Sequence, residues 1–227
     1  MSPLSRECPK DGEGASSDTL LPNVVNALTN RKTLKILTIG GSASAGRRST
    51  RGGYTKLIEH FLEQAVKGLD VVMMNRGVSG ELAANAATRI RNEVAFDKPD
   101  LVLWQVGAND ALAYVGVGEV RVAVVDTIRW LRDHKVDVIL VGLQHVKRMQ
   151  RNEQYTAVRD ELRKIGATER VIVIRRGEAM QIIEQVSSTI QASDEFEQTE
   201  YGYICLAQYV ARAITLNVFG KEVLRQP

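Results

Sequence analysis

The sequence has few of the residues and segments that mark the more specialised classes of protein. It contains two cysteines among 227 residues, Cys8 and Cys205. Two distant cysteines do not indicate a disulfide framework, and they favour a reducing compartment. No apolar run approaches the length of a membrane-spanning helix. Residues 1–19 are polar and lack the apolar segment of a signal peptide. These absences predict a cytoplasmic protein without a membrane span.

The chain also has little net charge of either sign. The formal net charge is +3 and charged residues make up 25% of the chain, which is too small an excess to indicate nucleic acid as a partner. The hydrophobic share of 44% is ordinary for a globular protein with one full-sized core. We expect a single domain over residues 23–220, preceded by a disordered tail over residues 1–22 and followed by a C-terminal tail over residues 221–227.

Short apolar runs alternate with amphipathic stretches along the chain. The runs predict five strands at Leu34–Ile39, Val71–Asn75, Leu101–Val106, Val136–Leu143 and Val171–Ile174. Helical patterns fall at Val24–Thr29, Tyr54–Lys67, Leu82–Val94, Val120–His134, Gln150–Ile165, Ala179–Ile190 and Tyr203–Leu216. This alternation predicts an α/β fold, a three-layer αβα sandwich around a parallel five-stranded sheet. Ligands of such sheets bind beyond the carboxyl ends of the strands.

The first predicted strand ends in a loop of glycines and small residues, Gly40–Gly46, with the sequence GGSASAG. Glycine allows a sharp turn that leaves the Ser42 hydroxyl uncovered, so Ser42 is a candidate nucleophile. Two alternatives stay open: Ser42 as a small turn residue, and the loop as a phosphate site at a helix N-terminus. The loop has neither the Walker A ending nor the GxGxxG spacing, and we expect no cofactor and no metal.

The loops after the second and third predicted strands carry small and amide residues. Asn75–Glu81 reads NRGVSGE, and Gly107–Asp110 reads GAND. A small residue lets a backbone N–H approach a substrate, and an asparagine amide donates without carrying charge, so both suit a developing oxyanion. Because three such loops share one edge of a parallel sheet, they indicate a common site. Asp110 is expected to order its loop.

These segments resemble the blocks of the SGNH, or GDSL-like, hydrolase family in order and spacing. GGSASAG is similar to the GDSxxxG block with glycine in place of aspartate, NRGVSG matches N-x-x-x-S-G, and GAND matches G-x-N-D. The resemblance covers residues 33–217 and implies a flavodoxin-like topology. It implies Ser42 as the nucleophile, with an oxyanion hole made by the N–H groups of Ser42 and Gly80 and the Asn109 amide. The implied activity is hydrolysis or transfer of an ester, on a small molecule or a glycan.

The fourth block departs from the family pattern. The family's D-x-x-H matches Asp194–Glu197, so Glu197 stands where the family has the histidine that accepts the serine proton. Glu197 is then the candidate base, with Asp194 raising its pKa, and His145, just beyond the fourth strand, is the alternative base. Since a carboxylate is a weaker base than imidazole, a non-catalytic relative that binds an ester or a glycan is the second functional hypothesis.

Basic residues also follow three of the predicted strands. They are Arg47, Arg48, Arg51, Lys147, Arg148, Arg151, Arg175 and Arg176. A basic cleft edge favours an anionic substrate. The alternative is that nearby glutamates neutralise these charges. Among the remaining residues of note, Trp104 and Trp130 are expected in the core, and His60 and His134 at the surface of helices or half-buried there.

Overall fold

The computed structural model of the protein describes residue 8, residues 21–41, 53–144, 149, 151–175, 177 and 200–223. The strands are β1 (Thr33–Gly40), β2 (Asp70–Gly77), β3 (Leu101–Gln105), β4 (Asp137–Val141) and β5 (Ile172–Ile174). The helices are α1 (Pro22–Asn26), α2 (Gly53–Ala65), α3 (Ala83–Asp97), α4 (Ala108–Leu112), α5 (Val117–Asp133), α6 (Glu153–Thr168) and α7 (Glu200–Val223). A π-helical turn, Ala27–Arg31, joins α1 to β1.

The five strands form one parallel sheet in the order β2-β1-β3-β4-β5. This is the flavodoxin-like order, in which the chain moves first to one side of β1 and then to the other. The predicted α/β class, the parallel sheet and the topology are therefore confirmed. The predicted strands match the observed ones to within two residues at each end.

The sheet is covered on both faces, which gives the three predicted layers. Successive side chains of a strand point to opposite faces. Leu101 and Leu103 therefore pack in a cluster with α1, α2 and α7. Val102 and Trp104 pack in a second cluster with α3, α5 and α6. Burial on both faces explains why the central strands are continuous apolar runs without alternation.

The two tryptophans differ in burial. Trp104 is fully buried, as predicted. Trp130 was also expected in the core, but it is only partly buried: its ring stacks on the exposed His134 ring at 3.8 Å, and the Arg91 guanidinium lies over it. Its position at the end of α5 leaves one ring face at the surface. His60 and His134 are exposed on α2 and at the end of α5, as expected.

Helices α4 and α7 differ most from the predicted pattern. Helix α4 was not predicted, because five residues are too few to show a helical period. Helix α7 extends beyond the predicted Tyr203–Leu216 at both ends. The predicted helix at Ala179–Ile190 lies outside the described residues.

A disulfide joins Cys8 to Cys205, although two distant cysteines are poor evidence for one in the sequence. Their Cα atoms lie 5.4 Å apart, and both residues are buried in the cluster beneath α7. The cysteines are 197 residues apart, so no local pattern could indicate the pairing. The disulfide removes the support that the cysteine count gave to a reducing compartment. It also fixes one residue of the segment predicted to be a disordered tail.

Helix length and composition bear on membrane insertion. Within the described part of the chain, no helix is both long enough and apolar enough to cross a bilayer.

Candidate active site

Three loops meet at the carboxyl edge of the sheet. Gly40 at the end of β1 pairs with Gly77 at the end of β2. The backbone N–H of Val78 then donates to the Gly40 carbonyl at 2.7 Å. This bond continues the pairing of β1 with β2 beyond the last residue of each strand. It draws the start of the first loop toward the second loop.

A cleft of about 200 Å³ opens at this edge. Its walls come from the ends of β1 and β3, the loops after β2 and β4, and α4: Gly41, Ser79, Gly80, Glu81, Gln105, Val106, Gly107, Ala108, Asn109, Leu112 and Gln144. Gly80 and Asn109 thus lie in one cleft with Gly41, the residue before Ser42. A larger cavity of about 480 Å³ lies at the amino edge beside Asn23 and Asp137, and contains none of the predicted site residues.

Gly107 allows the close packing that places α4. Its φ of 97° lies in the left-handed region, which favours glycine. A Cβ at this position would lie 2.9 Å from Leu143 Cδ1, 3.0 Å from Val158 Cγ1 and 3.1 Å from Leu162 Cδ1. Only a residue without a side chain fits here without rearrangement, so the start of α4 sits directly against the core.

The amide of Asn109 is oriented by its neighbour across the cleft. Its Nδ2 donates to the Glu81 carbonyl at 2.9 Å. Since a carbonyl oxygen can only accept, this contact fixes which end of the amide faces Glu81. A Cβ built on Gly41 would lie 3.7 Å from the same nitrogen. One amide hydrogen is therefore committed to Glu81, and the nitrogen that carries the second lies beside the residue preceding Ser42.

The loop after β2 presents exposed backbone to the cleft. Gly80 has a φ of 78°, and a Cβ there would meet no atom of the described residues within 4 Å. Gly80 and Ser79 are both exposed. The loop begins with an Asx turn, in which the Asn75 Oδ1 accepts from the Gly77 N–H at 3.1 Å. Gly80 thus has an open backbone in a conformation that other residues adopt only with strain.

Asp110 orders this region, as predicted. It is buried, and its Oδ1 accepts from the Ala83 N–H at 2.8 Å. Helix α3 has Leu82 at its N-cap and no side-chain cap of its own, so Asp110 pairs one of the N–H groups that the helix leaves open. Burial raises the pKa of Asp110, while hydrogen bonds from the backbone of Ala83, Asp110 and Gly107 act in the opposite direction.

The remaining predicted site residues lie outside the described residues. They are Ser42, Asp194, Glu197 and the alternative base His145. Most of the predicted basic edge lies there too: Arg47, Arg48, Arg51, Lys147, Arg148 and Arg176. Arg151 and Arg175 are described, and both are exposed. The structure therefore brings together Gly80 and Asn109 from the predicted set.

Sequence reasoning missed several residues of this region. Arg89 on α3 forms a bidentate ion pair with Glu81, and Gln105 lines the cleft. The Gln105 Oε1 is buried and has no hydrogen-bond partner in the part of the chain that the structure describes. The sequence carries no specific signal for the ion pair, because Glu81 precedes α3 and lies eight residues from Arg89. Gln105 has a weak signal, since it is the polar residue at the carboxyl end of an apolar strand.

Comparisons with curated proteins find esterases. The chain is 28% identical over 110 residues to esterase TesA of Pseudomonas aeruginosa, which covers 48% of this chain and 54% of that protein. It is 35% identical over 80 residues to an arylesterase of Vibrio mimicus, which covers 34% of this chain and 38% of that protein. The matched regions thus span about half, or less, of the length of these relatives.

A solved structure shows the same fold. Axe2, an acetylxylan esterase from Geobacillus stearothermophilus, superposes with a TM-score of 0.67 over 80% of this chain and 94% of that chain, at 18% identity. The model of the Non-GDSL lipase-like family matches residues 7–218. This match covers nearly the whole chain. The chain therefore belongs to the Non-GDSL lipase-like family.

Proposed function

We propose that the protein hydrolyses or transfers the acyl group of a carboxylic ester through an acyl-Ser42 intermediate. The observation that carries this proposal is the convergence of Gly41, Gly80 and Asn109 on one cleft. Ser42 follows Gly41 directly, so one peptide bond separates the described cleft wall from the proposed nucleophile. The esterase relatives support the same reaction class.

The proposed reaction proceeds by addition and elimination. The Ser42 hydroxyl oxygen attacks the ester carbonyl carbon, the C=O electron pair moves to the oxygen, and the serine proton passes to a base. The Gly80 N–H and the second Asn109 amide hydrogen would donate to the resulting oxyanion. The C–O bond to the alcohol then breaks, and the alcohol leaves with the proton from the base. Water, or a second alcohol in a transfer, attacks the acyl-serine and regenerates Ser42.

Glu197 is the proposed base, assisted by Asp194. It occupies the position of the family's histidine in the sequence, and its ionised form can accept a proton. His145 is the alternative, since it follows Gln144, which lines the cleft. Substitution of each residue separates these two assignments.

The proposed substrate is a small ester or an acylated carbohydrate with a short acyl group. A cleft of about 200 Å³ is smaller than the roughly 300–1,000 Å³ of pockets that hold drug-sized ligands. An acetyl group fits the part of this cleft that the described residues line. Acetylated sugars are suggested by the fold that the chain shares with an acetylxylan esterase. A negatively charged substrate stays a prediction based on the basic residues after the strands.

A second candidate function is binding without catalysis. The glutamate at position 197 favours it, because a carboxylate is a much weaker base than the imidazole that the family uses there. Such a protein would keep the cleft and bind an ester or a glycan without forming an acyl-serine.

Covalent labelling separates the two functions. A fluorophosphonate probe should label the protein at Ser42, and Ser42→Ala should abolish both labelling and hydrolysis of p-nitrophenyl acetate. The substrates tested for hydrolysis should also include acetylated xylose oligomers and esters of longer acyl groups, each over a range of pH. If the wild-type protein shows neither labelling nor hydrolysis at any pH, the binding function replaces the proposed one.

A further inference from the structure

Glu81 connects the two described oxyanion donors. It follows Gly80 directly in the chain, and its backbone carbonyl accepts the Asn109 amide at 2.9 Å. A movement of Glu81 would therefore shift the Gly80 peptide and also release the Asn109 side chain. The geometry of both donors depends on one residue that the reaction itself does not use.

Among the described residues, packing alone does not hold this segment. Gly80 and Ser79 are exposed, and no described atom lies within 4 Å of a Cβ built on Gly80. Beyond Glu81, the backbone is held at Leu82, whose carbonyl accepts from the Ala86 N–H, and at Ala83, whose N–H donates to Asp110. This segment contains Gly80 in a left-handed conformation, and a glycine can also adopt many other backbone conformations.

Arg89 supplies the missing restraint. Its Nε donates to Glu81 Oε1 at 2.7 Å and its Nη2 donates to Oε2 at 2.5 Å, the paired geometry that arginine forms with carboxylates. The Glu81 side chain is 8% exposed and the Arg89 side chain 22% exposed, so solvent screens this pair less than a surface pair. Arg89 lies on α3, a helix of 15 residues packed against the sheet, and its Nη1 also lies 3.8 Å from Glu93 Oε1.

We propose that Arg89 is a positioning residue for the oxyanion hole. By holding the Glu81 carboxylate from α3, it fixes the Glu81 carbonyl that orients Asn109 and the adjoining peptide of Gly80. The proposal rests on the proposed esterase function of the cleft. It predicts that Arg89 contributes to the rate of the acyl-transfer step and little to substrate binding.

The kinetic test is a double-mutant cycle on p-nitrophenyl acetate. Arg89→Met should lower kcat by about 10- to 100-fold, since small misplacements of such groups have costs of this size, and should leave KM nearly unchanged. Arg89→Lys, which keeps one charged donor, should recover part of the loss. In an Asn109→Ala background, Arg89→Met should lower kcat by a smaller factor than in the wild type, because the Asn109 amide is absent and only the Gly80 peptide can still be displaced. Arg91→Met is the control, an exposed arginine of the same helix.

A second readout does not depend on hydrolysis. Hydrogen exchange followed by NMR should show faster exchange of the Asn109 side-chain amide in Arg89→Met, with the Trp104 amide unchanged. Unchanged kcat and exchange in Arg89→Met would overturn the proposal, as would rate losses that add independently of Asn109. If the wild-type protein hydrolyses no ester, the proposed function fails. The exchange measurement then still decides whether Arg89 orders the Asn109 amide.

Discussion

Asn23 donates two hydrogen bonds to the carboxylate of Asp137, one from its backbone N–H to Oδ2 at 2.9 Å and one from its side-chain Nδ2 to Oδ1 at 2.8 Å. The backbone N–H of Val24 donates a third, to Oδ2 at 2.9 Å. Helix α1 has no side-chain cap of its own at Leu21. Asp137, the first residue of β4, therefore pairs N–H groups that α1 leaves open and ties α1 to the amino edge of the sheet.

Asp137 should make the stability of the protein depend on pH. Burial raises its pKa to about 6, against the lowering effect of the hydrogen bonds from Val24 and Asn23. The native state therefore keeps a proton at pH values where the unfolded chain has released it. The stabilising contribution is complete below about pH 4, declines as the pH rises through the folded pKa, and is lost above it. The total decline is about 3 kcal/mol, since each pKa unit corresponds to about 1.4 kcal/mol.

Urea unfolding of the wild-type protein and Asp137→Asn over this pH range measures the effect. The asparagine does not titrate, so the free energy of unfolding of the wild type should fall relative to the variant between about pH 4 and about pH 7. The absolute offset also reflects the altered hydrogen bonds, and for this reason the slope is the quantity to compare. Asp133→Asn, at an exposed site on α5, is the control, and its free energy of unfolding should depend on pH as that of the wild type does. The same pH dependence in Asp137→Asn and the wild type would contradict the prediction.

Gly107→Ala should destabilise the protein and impair the cleft. A left-handed conformation disfavours an alanine by about 1–2 kcal/mol, and the close contacts with Leu143 and Val158 add the usual overpacking cost of about 1–3 kcal/mol. We expect a total loss of roughly 2–5 kcal/mol in the free energy of unfolding. Because Gly107 precedes α4, hydrolysis should also decrease at temperatures where the variant is folded.

Gly118→Ala is the matched control. Gly118 lies in α5 with a negative φ, and a Cβ there would meet nothing within 4 Å. The free energy of unfolding of Gly118→Ala should be unchanged or slightly higher than that of the wild type, because alanine is a better helix former than glycine. Equal stability losses in the two variants would show that the left-handed conformation and the contacts of Gly107 do not decide its identity.

Removing the disulfide between Cys8 and Cys205 should lower the stability of the protein. A cross-link that closes a long loop restricts the unfolded chain, and its loss costs about 2–5 kcal/mol in typical cases. The thermal midpoint of the wild type should therefore fall when a reductant is added, and Cys8→Ala should already show the lower value and respond no further. Two titratable thiols in the unreduced protein would contradict this pairing.

The sequence predicts the fold well because the local signals are strong. Buried parallel strands need apolar residues on both faces, so runs such as Leu101–Gln105 stand out between amphipathic helices. The pairing of Cys8 with Cys205 has no such signal. It depends on where the N-terminal segment returns to α7, and composition instead favoured free thiols.

In the candidate site, too, some features have a signal in the sequence and others do not. Gly80 and Asn109 could be expected in one cleft, because the carboxyl ends of parallel strands meet at one edge. The contact between the Asn109 amide and the Glu81 carbonyl could not be expected, since it depends on the angle at which α4 leaves β3. The burial of the Gln105 Oε1 without a partner among the described residues depends on which groups face it across the neighbouring strands. Motifs thus predict which loops form the site, whereas the hydrogen bonds that orient its donors depend on the packing.

Substitutions of Glu197 test the proposed base most directly. Glu197→Gln removes the group that would accept the Ser42 proton, and a single general base contributes about 10²–10⁴-fold to the rate. We expect this variant to lose hydrolysis while its thermal midpoint stays almost unchanged. Wild-type activity should rise with pH as the carboxyl group of Glu197 ionises, a step that the neighbouring negative charge of Asp194 opposes.

Glu197→His restores the residue type that the family uses at this position. With Gly80 and Asn109 already at the cleft, the imidazole should raise turnover at neutral pH, and activity should rise near the ordinary pKa of histidine, about 6.5. His145→Gln is the matched control, and it should retain wild-type hydrolysis if Glu197 is the base. Retained hydrolysis in Glu197→Gln together with loss in His145→Gln would assign the base to His145. Loss of labelling by a fluorophosphonate in Glu197→Gln but not in His145→Gln would show that Glu197 activates Ser42.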